Sequence, residues 1–193
     1  MVIDGIVIGI IVGLIRAGFK NGFMALSNVR IKGGLIFPLL LLLQFVMFYY
    51  QDRFELLDQI SGSFFMVIYV VGLYVLWLNR NEPGFWYIFI GVGLNFLVMV
   101  LNGGRMPVSL EAAKVLDPVY IEMLKNGVTV TKHVMLSEST HLAFLGDIIP
   151  IAPPYPRTQV ISIGDIVMNI GIFIYLQKIM LIEKHRTSTL EAQ

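Results

Sequence analysis

Residues 85–101 read FWYIFIGVGLNFLVMVL, and none of these seventeen side chains is charged. Residues 35–50 and 62–78 are also free of charged side chains, and residues 161–182 contain only one acidic and one basic side chain. Each run is close to the roughly 20 residues that an α-helix needs to cross a bilayer. The pattern predicts a chain that is built into a membrane.

The composition agrees with this prediction. Of the 193 residues, 56% are hydrophobic and 14% are charged, whereas roughly 25% are charged in a typical soluble domain. The length suits one membrane domain, residues 1–193, with no separate soluble domain. A net charge of +1 gives no reason to expect nucleic acid as a partner. The lack of cysteine excludes disulfides, thiolate metal sites and cysteine nucleophiles.

The first apolar segment, residues 2–16, is predicted to be a retained helix. Asp4 stands where a signal peptide would carry basic residues, and no small-residue cleavage site follows. Gly5, Gly9 and Gly13 recur every four residues and so lie on one helix face, where the backbone of a neighbouring helix can approach closely.

We therefore predict an all-α fold, a polytopic bundle of about five transmembrane helices with a long, structured extracytoplasmic loop. The predicted spans are residues 2–16, 35–50, 62–78, 85–101 and 161–182, and the outer loop is 102–160. Lysine and arginine are enriched in cytoplasmic loops. The first loop, the third loop and the tail hold eight basic and three acidic residues, whereas the rest of the chain holds six basic and ten acidic residues. This bias predicts a multi-pass protein of the plasma membrane with its N-terminus outside and its C-terminus in the cytoplasm.

The outer loop has the marks of ordered structure. Ser109 is placed to cap a short helix, 110–116, and Asp117 to cap a second helix that ends before Gly127. Residues 128–136 alternate weakly, which indicates a short strand or hairpin arm.

Polar signals concentrate in three segments on the predicted outer side. These are NGGRMPVS at residues 102–109, the stretch from His141 to Asp147, and SIGD at 162–165. An ionisable group near a membrane span is costly unless it is paired, so these segments predict a functional site. The candidate binding residues are Asn102, Arg105, Ser109, His141 and Ser162.

Two interpretations of Asp165 remain open. Ser162 and Asp165 have the spacing of a capping box at the start of the last span, which is a structural role. Alternatively, a returning loop brings Asp147 to Asp165, and the two carboxylates share a proton as a catalytic dyad. If Arg105 pairs with either aspartate, the dyad is lost and a structural ion pair remains.

The histidines give a weaker signal. A zinc site made by His133, His141 and Asp147 is conceivable, but no further ligand pattern surrounds them. We expect hydrogen-bonded histidines in the loop, and neither a metal nor another cofactor.

Several motifs resemble those of a bacterial family of small multi-span membrane proteins with no assigned function. They are ALSNVRIKGG at residues 25–34, NGGRMPVS at 102–109, LGD at 145–147 and SIGD at 162–165. The resemblance spans almost the whole chain and implies a plasma-membrane location, but no activity.

The last quarter is also similar to the lipoprotein signal peptidases, whose second aspartate begins their last span. Asp147 in Gly-Asp-Ile and Asp165 in Ser-Ile-Gly-Asp correspond to the two aspartates of those enzymes, although Ser162 replaces an asparagine. This resemblance implies an aspartic peptidase-like site made by Asp147 and Asp165.

Two functional hypotheses follow. The first is a non-enzymatic protein in the lipid bilayer, either an accessory subunit bound to larger subunits of a membrane complex or a ligand-binding membrane module. The alternative is a membrane-embedded hydrolase that uses Asp147 and Asp165 at the outer membrane surface, with Asn102 and Arg105 orienting the substrate.

Overall fold

The computed structural model describes residues 2–127 and 130–191, and most of these residues are helical. The α-helices are α1 (Val2–Ala17), α2 (Phe19–Ser27), α3 (Ile36–Tyr50), α4 (Glu55–Leu78), α5 (Phe85–Leu101), α6 (Leu110–Ala113), α7 (Pro118–Lys125) and α8 (Ile163–Glu191). The short strands are β1 (Met106–Val108), β2 (His133–Met135), β3 (Ile149–Ile151) and β4 (Gln159–Ile161). Short 3-10 turns occupy Gln51–Arg53 and Ala143–Leu145.

Length and composition mark two helices of the described chain as long and apolar enough to cross a membrane. These are α4 and the part of α8 from Ile163 to Thr189. Helices α3 and α5 are apolar but have 15 and 17 residues, so at a rise of about 1.5 Å per residue each covers about 22–26 Å. A bilayer core is about 30 Å thick. Helix length therefore supports two spans and does not support the predicted count of five.

Helix α8 is the element around which the others pack. Helices α1, α2 and α5 contact it directly, α4 packs on α5, and α3 packs on α4. The small-residue face predicted on α1 is confirmed, because Gly5, Gly9 and Gly13 are buried opposite side chains of α8. The side-chain amide of Gln177 in α8 uses this closeness to donate a 2.8 Å hydrogen bond to the Gly9 carbonyl.

Glycines also bring the backbones of α5 and α8 together. A methyl group added at Gly91 would overlap the Gly164 carbonyl oxygen and the backbone nitrogen of Met168. Two turns away along the same contact, a methyl group at Gly84, just before α5, would overlap the Gly171 carbonyl oxygen. Both positions therefore depend on the absence of a side chain.

The described residues of 102–162, which we call the outer layer, cover one end of the helices. The Arg157 guanidinium bonds the Asp4 carboxylate at 2.6 Å, so the start of α1 lies at this end. The Gln51 side-chain amide donates to the Thr131 carbonyl at 2.7 Å, so the end of α3 lies there too.

At the opposite end, Asn79 ties the loop before α3 to the end of α4. The backbone N–H of Lys32 donates to Asn79 Oδ1 at 2.8 Å, and Asn79 Nδ2 donates to the Lys32 carbonyl at 2.9 Å and to the Val75 carbonyl at 2.8 Å. One buried amide thus satisfies backbone groups that would otherwise be left without partners.

Two small sheets order the outer layer. Strands β1 and β2 pair in parallel, and β3 and β4 pair antiparallel. The predicted caps are confirmed, since Ser109 accepts a bond from Ala112 at the start of α6 and Asp117 accepts one from Val119 at the start of α7. Of the strand predicted at 128–136, the structure forms β2, and residues 128 and 129 lie outside the described part.

Other boundaries differ from the predictions. The fold is mostly helical rather than all-α, because main-chain groups of the outer layer pair as short strands. The loop predicted after the first span contains α2, whose small residues Gly22 and Ala25 are buried in the bundle. Helix α4 begins at Glu55 rather than near residue 62, because Glu55 and Asp58 suit the positive end of the helix dipole. Helix α6 ends at Ala113 rather than at residue 116.

A pair of alanine substitutions in α5 tests the contact with α8. Gly91→Ala forces two backbones apart, and we expect it to lower the free energy of unfolding by about 1–3 kcal/mol, as overpacking does. Gly93→Ala is the matched control, because a methyl group there meets no atom of the described residues within 4 Å. Thermal unfolding in detergent would measure both. Equal melting temperatures for the two variants would contradict the packing described here.

Candidate functional site

The SIGD segment forms the capping box predicted at the start of α8. The backbone N–H of Asp165 donates to Ser162 Oγ at 3.0 Å, and that of Ser162 donates to Asp165 Oδ2 at 3.1 Å. Asn95 of α5 completes the group, because its Nδ2 donates to Asp165 Oδ1 at 3.1 Å and its Oδ1 accepts from Ser162 Oγ at 2.7 Å. Both oxygens of Asp165 are therefore engaged at the contact of α5 with α8.

Asp147 is held by its backbone on the free edge of β1. Its N–H donates to the Pro107 carbonyl at 2.8 Å, and its carbonyl accepts from the Ser109 N–H at 3.0 Å. The residue is only 6% exposed. Carboxylate oxygen Oδ2 lies 3.3 Å from Nε2 of His133, whereas Oδ1 has no hydrogen-bond partner among the described residues. A buried polar atom without a partner is unusual in a native fold and calls for an explanation.

His133 and Tyr120 stand beside this carboxylate. The second ring nitrogen of His133, Nδ1, lies 3.1 Å from Thr131 Oγ1, and its ring meets the Tyr120 ring edge-on with centroids 6.4 Å apart. Burial, together with the negative charge of Asp147, raises the pKa of Tyr120 to about 12. The phenol therefore keeps its proton at neutral pH and can act as a hydrogen-bond donor.

These side chains border a cavity of about 390 Å³ in the outer layer. The volume lies within the range of about 300–1,000 Å³ that is usual for sites of small molecules. The wall is made by residues of β1, α7, β2 and β4 and of the segments next to them, and it combines polar with aliphatic side chains. The lining residues are Val108, Leu116, Asp117, Tyr120, His133, Asp147, Thr158, Gln159 and Val160.

Lys132, the neighbour of His133, lies in the electrostatic field of both candidate aspartates. Its ammonium donates to the Tyr69 hydroxyl of α4 at 3.3 Å. Burial alone would lower the pKa of Lys132, but Tyr69, Asp147 and Asp165 together hold it above its usual value. A charged lysine thus joins the outer layer to the helices.

Asp147 and Asp165 do not form a hydrogen bond with each other in the described structure. Each has its own partners, and both act on the charge of Lys132. A catalytic dyad needs two carboxylates that share one proton, and the separate partners of Asp147 and Asp165 do not bring them together in this way. The dyad stays a prediction.

The other predicted site residues have structural contacts. Asn102 pairs with the backbone of His141 in both directions, at 3.0 and 2.9 Å, and also bonds the Val98 carbonyl at 2.7 Å. Arg105 pairs with the Asp58 carboxylate at 3.5 Å, and no ion pair with either candidate aspartate is found among the described residues.

Ser109 caps α6 and Ser162 caps α8, as described above, and His141 is exposed with its Nδ1 3.1 Å from the Ser139 carbonyl. Of the predicted site residues, Asp147 is the one that lines the cavity. No group of three or more His, Asp or Glu side chains in the described ranges is arranged to hold a metal ion.

Sequence reasoning did not single out Lys132 or Tyr120. The sequence signal for Lys132 was the lysine-histidine pair 132–133 in a stretch of otherwise uncharged residues. The partial burial of Lys132 follows only from the pairing of β2 with β1. Tyr120 lies in the first turn of α7, and its role follows from the packing of that helix on β2.

Substitution of Lys132 by methionine keeps the length of the side chain and removes its charge. A hydrogen bond that involves a charged group contributes about 1.5–3 kcal/mol, and we expect the low end because Lys132 is only half-buried. Lys114→Met is the control, since Lys114 pairs with Glu111 on the surface, where pairs contribute at most about 1 kcal/mol. Thermal unfolding would compare the variants.

Adding Asp147→Asn to Lys132→Met should recover part of the loss, because the double variant also removes a negative charge that acts on Lys132 through space. If Lys132→Met were as mild as Lys114→Met, the ammonium would not join the outer layer to the helices.

The comparisons with known proteins agree with a resemblance across most of the chain. An uncharacterized protein of Thermotoga maritima is 32% identical over 175 residues, which cover 91% of this chain and 89% of that protein. No solved structure matches the chain.

The model of a sequence family described as "Family of unknown function (DUF5317)" matches residues 28–177, from the end of α2 to the middle of α8. The matched range contains the cavity, Lys132 and the capping box of α8. Neither description names an activity. The predicted resemblance to a family with no assigned function is confirmed at this level, and the chain belongs to the family of unknown function DUF5317.

Proposed function

We propose that this protein is a non-enzymatic, multi-pass membrane protein whose outer layer binds a small ligand. The observation that carries the proposal is the cavity beside Asp147, where a buried carboxylate oxygen lacks a partner in the described structure. An unpaired polar atom costs about 1–3 kcal/mol, and a ligand that donates a hydrogen bond to it would recover that free energy.

The membrane part of the proposal comprises five spans, α1, α3, α4, α5 and α8, in the plasma membrane. The charge on the two ends of the helices supports it, because the end opposite the outer layer carries the basic excess that cytoplasmic loops have. The pairing of Asp4 with Arg157 supports an N-terminus on the outer side. Helix α8 runs parallel to α1, which supports a cytoplasmic C-terminus.

The short helices α3 and α5 are compatible with this arrangement. A bilayer thins locally around a short apolar segment at a modest cost, and aromatic residues anchor the segment at the interface. Tyr49 and Tyr50 end α3, and Trp86 and Tyr87 begin α5. All four of these side chains are exposed on the described structure, as lipid-facing anchors would be.

The other hypotheses receive less support from the described contacts. The hydrolase needs a proton shared by Asp147 and Asp165, whereas the described contacts of Asp147 are with His133 and those of Asp165 are with Asn95 and Ser162. The accessory-subunit role needs a partner surface, and the exposed apolar side chains of the helices are equally suited to lipid.

Single-cysteine variants test the proposed topology without background labelling, because the chain itself contains no cysteine. We expect an impermeant maleimide to label Glu55→Cys and Ser139→Cys in spheroplasts. Ser27→Cys and Asn81→Cys should be labelled only after permeabilisation. All four positions are exposed. Labelling of Glu55→Cys from the inside alone would show that α3 and α4 do not both cross the membrane.

A tryptophan at the cavity wall tests ligand binding. Thr158 is exposed and lines the cavity, so Thr158→Trp should fill part of it with little effect on folding. Ala152→Trp is the matched control, because Ala152 is exposed in the same loop and does not line the cavity.

Saturation-transfer NMR on the protein in nanodiscs would screen a set of small polar fragments. We expect some of these compounds to bind both the wild type and Ala152→Trp. Those compounds should lose most of their signal with Thr158→Trp. If no fragment distinguished the two tryptophan variants, the cavity would not be a binding site.

A further inference from the structure

We infer that the cavity is built for a ligand with a primary ammonium group, for which Asp147 is the counter-ion. The inference rests on the proposed ligand-binding function and names the chemical class of the ligand. It starts from the charges around the cavity. Among its nine described lining residues there are two carboxylates, those of Asp117 and Asp147, and no lysine or arginine. Such a wall disfavours carboxylates and phosphates and favours cations.

The two carboxylates differ in what they can still bind. Asp117 caps α7, and its Oδ1 accepts the Val119 N–H at 2.8 Å. Asp147 has one oxygen near His133 and the other, Oδ1, without a hydrogen bond in the described part of the chain. Hydrogen bonds between ions are shorter and about twice as strong as those between neutral groups. Asp147 is therefore the carboxylate that gains most from an incoming ammonium.

Lys132 does not already fill this role. Its ammonium acts on Asp147 through space, but its hydrogen bond goes to the Tyr69 hydroxyl of α4, on the side of the helices. His133 and Tyr120 remain beside Asp147 on the side of the cavity. The hydroxyl oxygens of Tyr120 and Thr158 add acceptors for the other N–H groups of an ammonium.

The remaining wall is apolar. Val108, Leu116 and Val160 line the cavity, and these side chains suit a hydrocarbon body attached to the ammonium group. An organic amine fits this combination better than a bare inorganic cation, which would leave the aliphatic wall without a contact.

Three probes of matched shape test the inference: benzylammonium, benzyl alcohol and benzoate. Each is titrated by saturation-transfer NMR into the protein in phosphatidylcholine nanodiscs, and the signal that persists with Thr158→Trp is subtracted as membrane partition. We expect benzylammonium to bind at least roughly tenfold more tightly than benzyl alcohol, as a charge-assisted bond predicts. Benzoate should not bind.

Asp147→Asn should weaken benzylammonium roughly tenfold and leave benzyl alcohol almost unchanged. Asp117→Asn should have a smaller effect, because asparagine also caps helices. Equal losses from the two substitutions would mean a diffuse negative field rather than a pairing with Asp147, and would overturn the inference. If Asp147→Asn does not fold, a comparison of benzylammonium binding between Thr158→Lys and Thr158→Met tests the same pairing with Asp147. The tethered ammonium should then exclude benzylammonium more strongly than the neutral side chain does.

The outcomes separate this inference from the proposed function. Binding of benzyl alcohol or benzoate as tight as that of benzylammonium, and sensitive to Thr158→Trp, would refute the ammonium class and keep a binding cavity. Binding of other fragments at this site without benzylammonium would do the same. No Thr158-sensitive binding by any compound would refute both.

The ammonium could belong to a soluble amine or to a lipid headgroup. Nanodiscs that also contain phosphatidylethanolamine distinguish the two sources. Competition between this lipid and benzylammonium would assign the site to the headgroup, and the lack of competition would assign it to a soluble amine. Both results support the same chemistry at Asp147.

Discussion

The close contact between α5 and α8 is the constraint on which the rest of the molecule depends. Glycines on both helices remove the side chains that would hold them apart, and the short distance lets Asn95 reach Ser162 and Asp165. Small residues let the two helix backbones approach closely, and the hydrogen bonds between the helices add to the attraction. The same contact fixes where α8 begins, and therefore where the outer layer must return to the helices.

A hydrogen bond from a charged side chain also joins the outer layer to the helices, since the ammonium of Lys132, next to β2, donates to Tyr69 of α4. The two aspartates that the sequence suggested as a pair have separate partners. The arrangement leaves Asp165 fully engaged as a cap and Asp147 only half engaged, and this difference separates a structural carboxylate from one with binding capacity.

Local patterns allowed much of the fold to be predicted, because they act over a few residues. The capping box at Ser162, the caps at Ser109 and Asp117, and the glycine face of α1 all follow from spacing along one helix. The site could be predicted only in part, since Asp147 and its neighbour His133 were considered together but Lys132 and Tyr120 were not. These two residues come near Asp147 only after β1 has paired with β2 and α7 has packed beside them. Such contacts depend on register across distant segments, which no local pattern encodes.

The backbone of Asp147 is fixed on both sides by hydrogen bonds to Pro107 and Ser109, and these bonds do not involve its side chain. Asparagine at position 147 offers the same backbone groups for these two bonds. A single nucleotide change converts an aspartate codon into an asparagine codon, and it would alter the charge of the cavity without rebuilding its walls.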